Sequence, residues 1–305
     1  DRHPTARCNG GGLIIMSFKM VKQSDLYERL VRPLLWAPVL AHRRYRTGKR
    51  ARVFDKLAIE DGKLLVHVRA QKEHEYLGER SPLVSITTPT YNRGQLVAES
   101  TLPAILAQSY TNFEWLVVGD HCTDDTVERM ARVKDPRVSF YNLPTRPQYP
   151  KNKKKRWMIV GTEANNLAHQ MAKGPWISHL DDDDVYTPDH IEQLLACALN
   201  GNFEFVWGRS RVEITPGEWE ERGAAVGADG KCPGHVSHST VLYRKYLDEV
   251  FPYDPKTPLK LNMGGDSFRW RRMVNAGVRV GFVDRVVTLI PLRPGEAVRT
   301  ISQLD

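Results

Sequence analysis

The chain has 305 residues, of which 41% are hydrophobic and 26% charged. That length can bury a sizeable core in one large or two modest domains, and the composition excludes a disordered or fibrous chain. The net charge of +8 is unevenly placed: residues 1–80 hold 17 basic and 9 acidic side chains, residues 81–305 hold 27 of each. The sequence therefore divides into a basic N-terminal extension, 1–80, and a charge-neutral domain, 81–305. Cys8, Cys122, Cys197 and Cys232 form no CxxC pair, which suggests neither a disulfide framework nor a zinc site and suits a reducing cytoplasm. No apolar run approaches the roughly 20 residues of a membrane-spanning helix; the nearest, 33–41, is broken by Pro38. Residues 1–15 lack the features of a secretory signal and are set aside from fold reasoning.

From Ser81 onward, short apolar runs alternate with helical patterns. A strand is predicted over 84–88, ending at Pro89, which cannot donate to a ladder. A helix follows over 96–108, with Pro103 a candidate kink. The run EWLVVG at 114–119 reads as a buried strand, 125–133 as a helix and 137–142 as a third strand. A basic, proline-containing loop covers 143–156. The next helix, 162–172, closes near Gly174. WISHL at 176–180 is a strand, and Thr187-Pro188 starts a helix over 189–199. Beyond residue 200, strands are expected at 204–207, 211–214 and 240–243, with a helix at 267–275. The segment 215–236 holds five glycines and reads as a long mobile loop, a candidate acceptor lid. Strands alternating with helices predict an α/β domain with a mostly parallel sheet covered on both faces. Such sheets bind ligands at the carboxyl ends of their strands.

The acidic clusters fall at those ends. Asp181, Asp182, Asp183 and Asp184 follow WISHL directly. A divalent cation would relieve their mutual repulsion, since Mg²⁺ and Mn²⁺ take one or two carboxylates plus substrate phosphates. A solvated turn before a helix N-terminus accounts for them about as well. Asp120 follows EWLVVG, where a carboxylate can accept from a nucleobase imide or ribose hydroxyls. Asp124 and Asp125 are simpler helix caps. Asp266, in GGDSFRWRRM, is also a natural cap.

Taken together, VSITTPTYNR, VVGDHCTDDT, GPWISHLDDDDVYTPDHI and GGDSFRWRRMVNAG resemble, in order, four motifs of the inverting family 2 glycosyltransferases. The resemblance implies a GT-A fold: a Rossmann-like, mixed but mostly parallel sheet with helices on both faces. It implies a nucleotide-sugar half (81–200) and an acceptor half (201–305). Pro89, Thr90, Tyr91 and Arg93 would form the nucleotide loop, with Asp120 on the base and Asn166 and Asp182 also on the donor. Asp181 and Asp183 would be the outer positions of a DxD motif, holding ribose or metal, and Asp266 the catalytic base. Gly119, His121 and Cys122 depart from the family's usual aspartate, glycine and serine. Asn165-Asn166 stands where the family often has Arg-Asn, so Arg93, Arg156 or Lys153–Lys155 could supply a cation to the diphosphate; a solvated basic loop is the plainer reading of that lysine run. No histidine follows His238.

The implied reaction is metal-dependent, inverting transfer of a sugar from a nucleoside diphosphate sugar, a UDP-sugar by the family pattern, to an acceptor hydroxyl on a glycan or lipid-linked sugar. Mn²⁺ or Mg²⁺ would be the cofactor and polysaccharide or glycoconjugate synthesis the setting. A catalytically silent GT-A domain that senses sugar nucleotides or assists assembly is the alternative. A nucleotidyltransferase lacks its expected glycine-rich loop here, and no nucleic-acid partner is expected. His238 borders the expected acceptor pocket, although a lone histidine is more often structural. Trp207, Trp219 and Trp270 could stack on a sugar. Arg43, Arg44, Arg46, Lys49, Arg50 and Arg52 follow the apolar stretch 34–40, which suits docking on anionic lipid at the inner face of the membrane or packing on the domain.

Overall fold

The computed structural model describes residues 32–76, 78–228, 230, 232–233, 236–293 and 295–299, with side chains from residue 47 onward. The first element is a helix, α1 (Arg32–Lys72), closed by a 3-10 turn at Glu73–Tyr76. Among the described residues, no helix is long and apolar enough to cross a membrane. The apolar stretch 34–40 and the side chains of Arg43, Arg44 and Arg46 lie outside the described side chains, as do residues 1–15.

A compact unit begins at Phe54, not at residue 81. The reason is a buried stripe on α1: Phe54, Asp61, Leu65 and Val68 recur at helical spacing and are all buried. Phe54 meets Phe268 with ring centroids 5.7 Å apart. Arg69 donates twice to Glu204 at 2.7 Å, and Arg272 donates twice to Asp61 at 2.8 Å. The second half of the basic extension is thus structural in this unit.

Next come β1 (Val84–Thr90) and a helical run α2 over 94–106. A π-helical turn at Val97–Thr101 interrupts α2, and Pro103 falls in the first turn of the segment that follows. The irregularity therefore precedes the proline, which sits where its missing N–H is harmless. Then follow β2 (Phe113–Gly119), α3 (Thr126–Ala131), β3 (Val138–Asn142), α4 (Lys153–Trp157), α5 (Thr162–Met171), β4 (Trp176–His179), β5 (Val185–Tyr186) and α6 (His190–Asn200). The remainder is β6 (Phe205–Thr215), β7 (Glu218–Arg222), a 3-10 turn (His238–Thr240), β8 (Val241–Arg244), α7 (Leu247–Val250), α8 (Thr257–Leu261), α9 (Gly265–Asn275) and β9 (Val280–Ile290).

These strands form one mixed sheet in the order β3-β2-β1-β4-β8-β6-β9-β5, with β7 paired to β6. β3, β2, β1 and β4 are mutually parallel. β8 runs antiparallel between β4 and β6, and β9 returns parallel to β6. Trp115, Trp176, Trp207 and Trp270 are fully buried around this sheet. Trp207 and Trp270 are therefore core residues, unavailable to a sugar.

Two expectations change. The strands at 204–207 and 211–214 are one strand, β6, and the segment 215–236 is no uniform loop. It begins with a hairpin that turns at Gly217, whose positive φ of 81° suits glycine, and returns as β7. The 11-residue β9 adds a strand beyond those expected after residue 200.

Candidate active site

The carboxyl ends of β1, β2 and β4, the 3-10 turn and the start of α9 surround a cleft of about 340 Å³. After β1, the chain turns through Asn92, at φ 52°, so that Pro89, Thr90, Tyr91 and Arg93 all line the cleft. After β2 it turns through His121, at φ 62°, where the family motif has glycine. Asn142 fixes this turn by accepting from the Cys122 N–H at 2.7 Å and donating to the Cys122 carbonyl at 3.0 Å. A side chain at position 119 would collide with Asn142 Oδ1, which explains glycine in place of the usual aspartate.

Asp120 is 2% exposed, and neither of its carboxylate oxygens has a hydrogen-bond partner. Burial pushes its pKa up, with Tyr149 and Arg146 opposing the rise. Arg146 Nε lies 3.8 Å from Asp120 Oδ2, and its guanidinium carbon sits 3.3 Å from the centroid of the Tyr91 ring. With only Arg146 and Tyr149 beside it, this buried carboxylate keeps acceptor capacity to spare, which suits a ligand carrying N–H or O–H groups.

The four aspartates divide by alternation. Asp182 and Asp184 are buried. Asp182 accepts from Thr90 Oγ1 at 2.7 Å and Arg93 Nη1 at 2.5 Å; burial still lifts its pKa to about 6. Asp184 accepts from Ser239 Oγ at 2.5 Å, and burial with the neighbouring carboxylates pushes its pKa well up. Asp181 is the most exposed of the four, its side chain 40% exposed, while the Asp183 side chain, at 9%, is nearly as enclosed as that of Asp182. Asp181 Oδ1 lies 2.8 Å from His238 Nδ1. Desolvation would raise the Asp181 carboxyl, but His238, Arg293 and Arg93 outweigh it and hold the group below its usual range. Asp183 Oδ2 accepts from Arg93 Nη1 at 3.0 Å and Arg293 Nε at 2.5 Å.

Across the cleft, Asp266 opens α9. Its Oδ1 accepts from the Ser267 N–H at 2.7 Å. Burial raises its pKa, partly opposed by His238 and the Ser267 N–H. His238 stands between the two sides: its Nε2 lies 2.7 Å from the Tyr253 hydroxyl, and its ring stacks on His179 at 4.2 Å. Gly265 donates its N–H to the Met158 carbonyl at 2.9 Å, tying α9 to the segment after α4.

One expected site residue is displaced. Asn166 turns away, exchanging hydrogen bonds with the backbone of Tyr253 at 3.1 and 3.2 Å. Its neighbour Asn165 lines the cleft instead, with Oδ1 unpartnered. Arg146, Arg293 and Trp157 line or approach the site without having been singled out. Lys153, Lys154, Lys155 and Arg156 are exposed on α4.

Among the described residues, no three His, Cys, Asp or Glu side chains converge to hold a metal ion. Two cleft-side carboxylates, Asp181 and Asp183, are nonetheless hard oxygen donors. That set fits a divalent ion arriving with a diphosphate, which would complete the coordination.

Residues 85–251 match the sequence profile of Glycosyl transferase family 2. The chain belongs to this family. Asp266 and Arg293 lie beyond the matched segment. A UDP-Glc:alpha-D-GlcNAc-diphosphoundecaprenol beta-1,3-glucosyltransferase, WfgD, of Escherichia coli is 28% identical over 130 residues, which cover 43% of this chain and 46% of the relative. The putative colanic acid biosynthesis glycosyl transferase WcaA of E. coli K12 is 28% identical over 120 residues, covering 39% of this chain and 38% of that one. The chain thus matches less than half the length of either. The crystal structure of S. aureus TarS 1–349 in complex with UDP-GlcNAc superposes with a TM-score of 0.50 at 18% identity, covering 70% of this chain and 60% of that one. The fold of this family 2 member is accordingly the GT-A fold.

Proposed function

We propose that this family 2 member transfers a sugar from a UDP-sugar to an acceptor hydroxyl with inversion at the anomeric carbon, in polysaccharide or glycoconjugate synthesis. The observation that carries the reading is one cleft lined by both Asp120, a buried carboxylate faced by Arg146 at 3.8 Å and by Tyr149, and Asp266. The relative WfgD, a UDP-Glc:alpha-D-GlcNAc-diphosphoundecaprenol glucosyltransferase, supports the choice of nucleotide and of acceptor class.

In this mechanism Tyr91 stacks on the base, and Asp120 accepts the imide N–H of uracil. Thr90 and Asn165 border the nucleoside, while Asp182 holds Arg93 in place. Arg93 and Arg293 face the diphosphate, where negative charge grows as the glycosidic bond breaks. Asp183, with Asp181, would hold Mn²⁺ or Mg²⁺. When bound, such an ion supplies Lewis-acid compensation of the leaving diphosphate. Asp266 removes the proton from the acceptor hydroxyl as that oxygen attacks the face opposite the diphosphate. A single displacement from that side inverts the centre. Burial makes Asp266 a stronger base than an exposed aspartate, which suits the task.

The test is calorimetric titration with UDP, GDP and their sugars, with and without Mn²⁺, followed by NMR of the product's anomeric configuration. Tight UDP binding that needs Mn²⁺, with an inverted product, is the expected result. Absence of nucleotide binding, or a product of retained configuration, overturns the reading.

A further inference from the structure

The family pattern places Asn166 at the donor, whereas the fold turns it onto Tyr253. There its Nδ2 donates to the Tyr253 carbonyl at 3.1 Å, and its Oδ1 accepts from the Tyr253 N–H at 3.2 Å. This two-way clasp ties the backbone of Tyr253 to α5. The Tyr253 hydroxyl in turn lies 2.7 Å from His238 Nε2, and His238 Nδ1 lies 2.8 Å from Asp181 Oδ1. Four residues from four separate segments thus form one line that ends on a cleft carboxylate.

The line is clamped along its length. His238 is 8% exposed, and its ring stacks on that of His179 at 4.2 Å with an interplanar angle of 20°. His179 is itself fully buried, with Nδ1 2.8 Å from Thr87 Oγ1 and Nε2 3.2 Å from the Tyr243 hydroxyl. Ser239, the next residue after His238, fixes the other end of Asp181. Its Oγ accepts from the Asp181 N–H at 2.9 Å and donates to Asp184 Oδ2 at 2.5 Å. The backbone and the carboxylate of Asp181 are therefore both tied to the 3-10 turn at His238–Thr240. A carboxylate held in this way has already given up the side-chain freedom that binding an ion would otherwise cost.

The hydrogen-bond directions follow from the chemistry of the groups. A carboxylate only accepts, so His238 Nδ1 carries the proton. In the neutral ring Nε2 is then an acceptor, and the Tyr253 hydroxyl donates to it. Both ring nitrogens are thereby occupied, so His238 has no lone pair to offer an ion.

We propose that Asn166, Tyr253 and His238 are positioning residues that act through Asp181, setting its carboxylate for a divalent ion that arrives with the donor diphosphate. This rests on the transferase reading above and assigns three further residues to the same site. Partners that orient a ligating side chain are typically worth about 10–100-fold in metal affinity.

The experiment uses the full chain and two readouts. The first is long-range ¹H–¹⁵N NMR of the metal-free, ¹⁵N-histidine-labelled protein at pH 8, with His238→Asn assigning the signal. The Nδ1–H tautomer is expected; an Nε2–H ring or a doubly protonated one overturns the line. The second is calorimetry of UDP binding with and without Mn²⁺. Tyr253→Phe keeps the ring and removes the hydroxyl. It should cut the gain in UDP affinity that Mn²⁺ provides by about 10-fold, with metal-free UDP affinity and melting temperature unchanged. His238→Phe should lose at least as much, and His238→Asn, whose amide can donate from the place of Nδ1, should recover most of the loss. Asn166→Ala should reduce the gain in the same direction. In an Asp181→Asn background, Tyr253→Phe should have no further effect, because the line then has no carboxylate to set. A Mn²⁺ gain that Tyr253→Phe and His238→Phe leave intact overturns the positioning role, as does a Tyr253→Phe loss that persists undiminished in Asp181→Asn. Equal losses with and without Mn²⁺ make the three residues plain framework and also overturn it. A parent chain that binds UDP with no gain from Mn²⁺ removes this proposal alone. A parent chain that binds no UDP removes the transferase reading and this proposal with it.

Discussion

Arg293 and Asp183, 110 residues apart, meet at 2.5 Å between Nε and Oδ2. Arg293 follows β9, and the parallel pairing of β9 with β6 delivers that segment to the mouth of the cleft. The pair ties the cleft-side aspartate to a cation that the diphosphate would also attract. Arg293→Gln should therefore leave Asp183 held by Arg93 alone and tighten Mn²⁺ binding in the absence of nucleotide. UDP affinity should fall about 10-fold, as expected for loss of one charge-assisted contact. Calorimetry with Mn²⁺ alone and with UDP alone separates the two effects.

Asp266→Asn should lower kcat by about 10²–10⁴-fold, the usual contribution of a positioned base. UDP affinity should be unchanged, because Asp266 lies at the acceptor end. The base works only when ionised, and burial raises its pKa. In the parent chain, the acid limb of the kcat profile should therefore lie above the ordinary aspartate range of about 4. A limb at or below that range, read from initial rates across pH, would contradict the assignment.

Asp182 makes a stability prediction with a definite sign. The native carboxyl titrates at about 6, whereas in the unfolded chain it titrates near 4. The folded state therefore binds the extra proton between these values and loses stability as pH rises through them. The full shift is worth about 3 kcal/mol. Asp182→Asn should raise stability at pH 7 by up to that amount, less what Arg93 loses, and the gain should vanish near pH 4. Donor binding should weaken, because Arg93 keeps only its contact with Asp183. Urea denaturation across pH checks the sign.

Glu204 is fully buried and accepts from Arg69, the Arg279 N–H and Tyr246. Its partners hold it below the ordinary carboxylate range despite burial. Glu204→Gln would leave Arg69 without its anion and should cost about 3–5 kcal/mol. The loss should appear as a lower denaturation midpoint at unchanged m-value.

Where the sequence was legible, the physical signal was local. β1, β2 and β4 are largely buried on both faces and carry short apolar stretches such as WLVV in β2, with Asp120 and Asp181 within two residues of the ends of β2 and β4. β9 carries Asp284-Arg285 in its middle, which breaks the apolar pattern and hid it. β7 is the polar sequence EWEER on a hairpin at the sheet edge, which gives no alternation to read. Asn165 and Asn166 were confused because one residue turns a helix by about 100°, enough to exchange cleft and backbone partners. Arg293 gave no signal at all, since its place depends on β-pairing between distant segments. Arg146 was hidden in the same way within a loop whose charge looked merely solvated. His238 was noticed, but its link to Asp181 and Tyr253 is a tertiary fact.

The stripe on α1 has a practical consequence for anyone trimming this chain. Asp61 holds Arg272, and Phe54 packs on Phe268, so α1 braces the helix whose first turn presents Asp266. Cutting at residue 80, where the charge balance changes, would strip that brace and bare the apolar seat of Leu65 and Val68. A shortened protein that begins just before Phe54 should stay monodisperse, whereas one that begins at Ser81 should aggregate on expression.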